Sequence, residues 1–337
     1  MKNREKCILK SELAGDAGGF ELMLSDGLDV EFPGPGKVLI DVKACEVVLG
    51  KDCAMCTDDE IQRSQMIARG QMVAGRVRAV GTGVASFAIG DSIAARVEPG
   101  GLTSVIMAPA HGCYRLPDGM SFAIGAALGE SFQMAYIALS EYSEFQNGCS
   151  ILVFGVTSEL GSSIVQLAKS AGASIIIGTV SHTTQVEDAV ALGCDHVLDF
   201  SKGDDFRRLS DFVSSVTNGS SLDIAVGTTV CEHYLAALNA ASLVVRGLCV
   251  RDSSIFVSRR IDEQVAWLRG EGILIMPICV GLAPAKRRAI QESLFALWID
   301  GLFIPRNFSL IPESRISQLS ELTALGVGWK KIILVSD

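Results

Sequence analysis

The stretch ILVFGVTSELGSSIVQLAK, residues 151–169, constrains this chain more than any other part of it. A short apolar run, Ile151 to Phe154, stops at Gly155. A turn of small residues follows, and beyond Gly161 the apolar residues Ile164, Val165, Leu167 and Ala168 recur at helical spacing. A strand running through a glycine turn into an amphipathic helix predicts the opening of a βαβ unit of the dinucleotide-binding kind. The physical requirement is narrow. Glycine lets the backbone turn tightly and approach a pyrophosphate, and the N–H groups of the first helical turn face the anion. Ser158 and Glu159 stand where such turns often carry glycine. A carboxylate at Glu159 can cap the helix itself and so compete with a phosphate.

Beyond this unit the apolar runs at 175–178, 196–199, 223–226, 243–250 and 273–280 have strand length, with helical segments such as 184–192 between them. Near-continuous apolar strands alternating with helices predict a parallel sheet covered on both faces. The first 120 residues read differently. Strands are expected at 35–48, at 73–80 before Gly81-Thr82-Gly83, at 87–96 around the turn Gly90-Asp91, and at 102–108. After Pro117 the pattern changes, and residues 122–140 carry alanine, leucine and Met134 at helical spacing. After Pro284 a helix over 286–300, a strand near Phe308, a helix over 316–325 and a last strand over 331–335 complete the chain.

With 337 residues, 49% of them hydrophobic and 20% charged, the chain suits two domains with a large buried core. A net charge of −9 argues against a nucleic-acid binder, which needs basic surface. The tight basic cluster Lys286-Arg287-Arg288 reads as a solvated helix start. The N-terminus has no apolar core of a signal peptide, and the run 273–282 is too short to span a bilayer and contains Pro277. A soluble, cytoplasmic protein is expected. Its ten scattered cysteines then read as buried thiols, with Cys53 and Cys56 lacking the second pair that a metal site would need.

Taken together, VRAVGTGVASFAIGDSIAA (77–95), GGLTSVIMAPAHGCYRLPDGMSFAIGAAL (100–128), AYIAL (135–139), the stretch 151–173 and ALGCDHVLDF (191–200) resemble the medium-chain dehydrogenase/reductase superfamily. Within it the resemblance is to the zinc-free quinone oxidoreductases and the enoyl-reductase domains of fatty-acid and polyketide synthases. It implies an α/β fold: a Rossmann-type parallel-sheet domain at 121–285, and a β-rich GroES-like domain made of 1–120 and 286–337. It implies hydride transfer from NADPH to a C=C bond conjugated to a carbonyl. The cofactor would be held at Met134, Gly155, Thr157, Ser158, Glu159, Leu160, Gly161, Thr179, Ser181, His182, Gln185 and Thr228.

Departures from the family pattern are as informative. Its zinc-dependent branch has a His-Glu pair where this chain reads Gly70-Gln71-Met72, so no catalytic zinc is expected. After the second strand, where relatives carry asparagine or tyrosine, Val47, Val48 and Leu49 stand, with Lys51 the nearest candidate to supply a proton or hold a carbonyl oxygen. The lysine and the aromatic-basic pair that hold a 2′-phosphate in relatives are Gln185, Phe200 and Ser201, leaving the hydroxyls of Ser181, Thr183 and Thr184 with His182 to favour NADPH. Met134 replaces a threonine near the nicotinamide, and Gly227-Thr228 replaces an Asp or Asn turn. These changes leave three readings: a reductase of an enoyl thioester, enone or quinone, with a trans-acting role beside a synthase partner as one option; a non-catalytic partner or structural subunit; or an enzyme redirected to non-redox chemistry. The run 273–280 can pair with its copy at a sheet edge, which predicts a homodimer.

Overall fold

In the computed structural model, the structure describes residues 5–14, 19–28, 31–51, 66–97, 100–202, 206–228, 235, 238–239, 241–251, 269–277, 282–306, 308–318 and 331–336. The chain begins with an antiparallel hairpin, β1 (Glu5–Ala14) and β2 (Gly19–Leu28). Then come β3 (Lys37–Lys51), β4 (Met66–Val80), β5 (Ser92–Arg96), β6 (Val105–Pro109) and β7 (Cys113–Arg115). Two helices follow, α1 (Phe122–Ala127) and α2 (Glu130–Ile137), before β8 (Ser150–Val153) and α3 (Glu159–Ser170). Next are β9 (Ile175–Val180), α4 (Val186–Leu192), β10 (His196–Asp199), α5 (Phe206–Val216), β11 (Leu222–Thr228), β12 (Val244–Arg251) and β13 (Leu274–Pro277). Helix α6 (Pro284–Ile299), β14 (Phe308–Pro312) and β15 (Lys331–Val335) close the chain.

These elements divide into two compact units. The first comprises Met1–Glu130, Ala283–Ile299 and Phe308–Asp337. Its main sheet has the order β14-β15-β3-β4-β5-β7, with β6 also paired to β3. All its pairs are antiparallel except β14 with β15. Alternating residues of these strands point inward, so Val38, Ile40, Val73, Ile93, Ala95 and Cys113 fill its core. Burial pushes the Cys113 thiol of this core up to about 12, and burial beside Glu46 pushes Cys45 higher still; in the second unit burial likewise pushes Cys194 up to about 12.

The second unit comprises Ser131–Leu282 and Asp300–Asn307. Its six strands are all parallel, in the order β10-β9-β8-β11-β12-β13. Leu152, Phe154, Ile177 and Leu222 pack with Leu209 and Val213 of α5 in one core cluster, while Ile151 and Val153 on the alternate face of β8 are equally buried. That double burial is why these strands read as continuous apolar runs.

Several local expectations are corrected. The helical spacing over 122–140 resolves into α1, α2 and a π-type turn over Ala138–Tyr142. The break falls at Leu128 (φ −78°, ψ 43°), followed by Gly129, which backs against the buried Glu46 carboxylate. Residues Thr183–Gln185 form a 3₁₀ turn, and the α-helix starts only at Val186. Of the helix expected over 316–325, the described part is a 3₁₀ turn, Glu313–Gln318. The basic cluster is solvated only in part: Lys286 is exposed, but Arg287 is buried, and Arg288 lies over the Tyr114 ring, 5.6 Å to its centroid, and donates to the Cys113 carbonyl at 3.0 Å. It serves as the clasp that holds α6 to β7.

Candidate functional site

The strand order β10-β9-β8-β11-β12-β13 is sequential outward from β8 in both directions, so the chain reverses between β8 and β11. In open parallel sheets a ligand crevice forms at the carboxyl ends of strands at such a point. Gly155 leaves β8 there, and Thr228 ends β11 there. The two are tied by register: Val153 lies opposite Val226, and the Phe154 N–H donates to the Val226 carbonyl at 2.9 Å.

The turn rests on two glycines with opposite demands. Gly155 sits at φ +64°, a left-handed backbone that disfavours side chains, and a Cβ there would meet nothing within 4 Å. Space is therefore open beside the backbone. Gly161 is needed for the opposite reason, because a Cβ there would collide with the Gly155 carbonyl oxygen. This lets α3 start directly beneath the strand end. Thr179 of β9 braces the turn: its Oγ1 accepts from the Gly155 N–H at 3.1 Å, and its carbonyl accepts from the Val156 N–H at 3.1 Å. Thr157 is buried in the turn.

Ser158 is the N-cap of α3, its Oγ accepting from the Gly161 N–H at 3.1 Å. Glu159 is the first helical residue, followed by Leu160, both half-buried. The turn thus keeps the shape of a phosphate cradle and fills one of its donors from within. A carboxylate in the first turn is favourable for the helix dipole and unfavourable for a bound phosphate.

The loop after β9 is closed by its own side chains. The Gln185 Oε1 accepts from the Ser181 N–H at 3.1 Å, the Ser181 hydroxyl at 3.3 Å and the His182 N–H at 3.2 Å, and the His182 side chain accepts in the same cap. Gln185 is buried, so the residue standing in the lysine position is a loop clamp. Asp199, at the end of β10, completes this end of the site. Its Oδ2 accepts from the Thr183 hydroxyl at 2.6 Å, and its Oδ1 from the Ser201 hydroxyl at 2.6 Å and the Ser201 N–H at 2.8 Å. These donors, Ser201 first and Thr183 second, hold the Asp199 carboxyl down at about 2.

The structure therefore brings Gly155, Thr157, Ser158, Glu159, Leu160, Gly161 and Thr179 together around the β8 turn, with Ser181, His182 and Gln185 in the adjoining loop and Thr228 at the neighbouring strand end. Met134 is buried on α2 in the same unit. Lys51 belongs to the other unit, at the end of β3 opposite Met66, and its side chain lies outside the described residues. Cys53, Cys56, Thr229, Val230 and His233 lie outside them as well. The residue the sequence reading missed is Asp199. The run Leu198-Asp199-Phe200-Ser201 carries its signal, an aspartate two residues before a serine at a strand end, where such side chains bond the following backbone N–H.

Among the described residues no group of three or more His, Cys, Asp or Glu side chains can hold a metal, and no helix is long and apolar enough to cross a membrane.

Residues 34–118 match the alcohol dehydrogenase GroES-like domain. The chain is 23% identical over 277 residues to a mycocerosic acid synthase-like polyketide synthase of Mycobacterium tuberculosis, a match covering 80% of this chain and 13% of that one. It is 25% identical over 225 residues to a quinone oxidoreductase-like protein 2 homolog of Nematostella vectensis, covering 65% of this chain and 60% of the relative. The chain thus spans a small part of the synthase and about three-fifths of the free-standing relative. A quinone oxidoreductase from Pseudomonas syringae pv. Tomato DC3000 has a similar structure, with a TM-score of 0.71 at 23% identity over 98% of this chain and 99% of that one. At that identity the likeness is one of fold.

Proposed function

This chain has the medium-chain dehydrogenase/reductase fold, an alcohol dehydrogenase GroES-like domain and homologues among quinone oxidoreductase-like proteins and polyketide synthases, and from that premise we propose a zinc-independent, nicotinamide-dependent reductase. The observation that carries the proposal is the open left-handed turn at Gly155, set over the start of α3 at the reversal point of a six-stranded parallel sheet. Backbone N–H groups suffice to hold a pyrophosphate there, so no particular side chain is required. The nucleotide would supply the hydride. Residues 155–161 would hold its phosphates, the 181–185 loop would border its ribose, and Thr228 and Met134 would flank the nicotinamide side.

The acceptor class is an activated C=C bond, as in an enoyl thioester or enone, or a quinone. Orienting the two reactants does most of the work in such chemistry. The enolate left on the substrate takes its proton from water or a nearby donor, for which Lys51 is the candidate. The Gln71-Met72 pair where zinc enzymes carry His-Glu supports the absence of catalytic zinc. The match to a segment of a polyketide synthase supports a role as a trans-acting enoyl reductase with a synthase partner. The family resemblance favours NADPH, but the hydroxyl support for it is reduced, because Thr183 already gives its proton to Asp199.

A second reading, a non-catalytic subunit of this fold, is favoured by one observation: Ser158 and Glu159 occupy the anion-facing end of α3. Calorimetric titration with NADPH and NADH separates the two. Micromolar binding of either, abolished by Gly161→Asp, is the expected result. Binding of neither would overturn the reductase and leave the partner subunit.

A further inference from the structure

We infer that Asp199 sets nucleotide choice, and that the dinucleotide this protein takes is NADH rather than NADPH. The inference rests on the dinucleotide reading of the site and concerns its ribose end.

In a sheet of this order the adenosine ribose lies beyond the carboxyl end of the strand that follows the first βα unit, here β9. Strands β9 and β10 end in register there, with Val180 opposite Asp199. The Asp199 side chain is 7% exposed, and its two oxygens take the Thr183 hydroxyl, the Ser201 hydroxyl and the Ser201 N–H. The two hydroxyls also lie 3.1 Å from each other.

A hydroxyl has one proton to give. Thr183 and Ser201 have both spent theirs on the carboxylate, so what they offer outward is lone pairs. Lone pairs accept from a ribose 2′-OH, and they repel a 2′-phosphate. Behind them stands a full negative charge, because the same donors keep the carboxyl ionised at any physiological pH. Gln185, at the position where relatives carry a lysine, is neutral and has its oxygen taken up by Ser181 and His182.

The opposing charges are weaker. Lys202 comes within 3.9 Å of the Asp199 Oδ2, but its side chain is 66% exposed, and such surface pairs contribute little. Lys202, Arg207 and Arg208 line one groove together with Asp199 and Asp211, and neither Thr183 nor Ser201 is part of its lining.

The test is titration calorimetry of the full chain with NADH and NADPH, on the wild type, Asp199→Asn and Ser201→Lys. The wild type is expected to bind NADH at least about tenfold more tightly than NADPH, the scale of one like-charge contact near a protein surface. Asp199→Asn should narrow that ratio by raising NADPH affinity while NADH affinity changes little. Ser201→Lys keeps the aspartate, adds a cation, and should shift the ratio the same way if Asp199→Asn does not fold. Equal or tighter NADPH binding by the wild type would overturn the inference and leave the dinucleotide site standing. So would variants in which both nucleotides weaken in parallel, since a merely structural aspartate leaves the ratio fixed. Binding of neither nucleotide would overturn the dinucleotide reading itself.

Discussion

At Gly155 the backbone is held at φ +64° with open space where a side chain would stand. Gly155→Ala therefore meets no clash and costs only the left-handed backbone, about 1–2 kcal/mol, which a denaturant melt would read as a lower midpoint. At Gly161 an added methyl strikes the Gly155 carbonyl, so Gly161→Ala is expected to cost more than Gly155→Ala in the same melt. Equal costs at the two sites would contradict the close approach of α3 to the turn. Asp199 gives a pH signature. Its folded value of about 2 lies below the ordinary 3.8, so the ionised form is favoured by folding. Its contribution is fully present above about pH 4 and is lost as pH falls from there towards 2. Acid unfolding of Asp199→Asn should accordingly be flatter over that window than that of the wild type. An unchanged acid limb would show that the Thr183 and Ser201 bonds contribute nothing in solution.

Helix α3 shows how one element serves two demands. Its cap, Ser158, satisfies the Gly161 N–H, and beyond it every residue from Gly161 to Ala168 is buried, the apolar Ile164, Val165, Leu167 and Ala168 among them. The cap that stabilises the helix consumes a donor that an anion would use. Ser158→Gly should cost only a few tenths of a kcal/mol, since glycine is a tolerable cap, and should strengthen dinucleotide binding in calorimetry. Weaker binding in that variant would mean that the serine hydroxyl contacts the ligand. The elements were legible where burial is two-sided: β8, β9, β10, β11 and β12 follow the apolar runs closely. They were least legible in short helices. The 122–140 segment keeps helical spacing throughout, yet Leu128 and Gly129 break it beside Glu46, a residue more than 80 positions earlier in sequence. No local pattern carries that contact.

Across the whole molecule, two units are assembled from interleaved segments, with α6, β14 and β15 returning to the first unit after the parallel sheet is complete. That return is fixed by particular contacts: Arg288 on Tyr114 and Cys113, and β15 paired to β3 through Ile333 and Glu46. The parallel sheet ends at β13, beyond which no further strand is paired among the described residues. Its Leu274 is 41% exposed, and the homodimer expected from the sequence would pair two copies along this edge. Sedimentation is expected to give a species of twice the chain mass; a monomer would reject the edge pairing. A saturating dinucleotide at about a hundred times its dissociation constant should stabilise the protein by about 2.7 kcal/mol, raising its melting temperature.

The sequence by itself determined the parallel sheet, the β-rich first unit and the glycine turn, because each is written in local periodicity and in residues whose backbone freedom is intrinsic. It also exposed the substitutions at Ser158, Glu159, Gln185 and Ser201. What they do was decided only by tertiary structure. Gln185 became a loop clamp and Ser201 an Asp199 donor because β9 and β10 end side by side, and Arg288 became a clasp because α6 packs on β7. Hydrogen-bond donors and charges acquire their roles from which strand ends meet, and chain topology sets those meetings over separations that no sequence window spans.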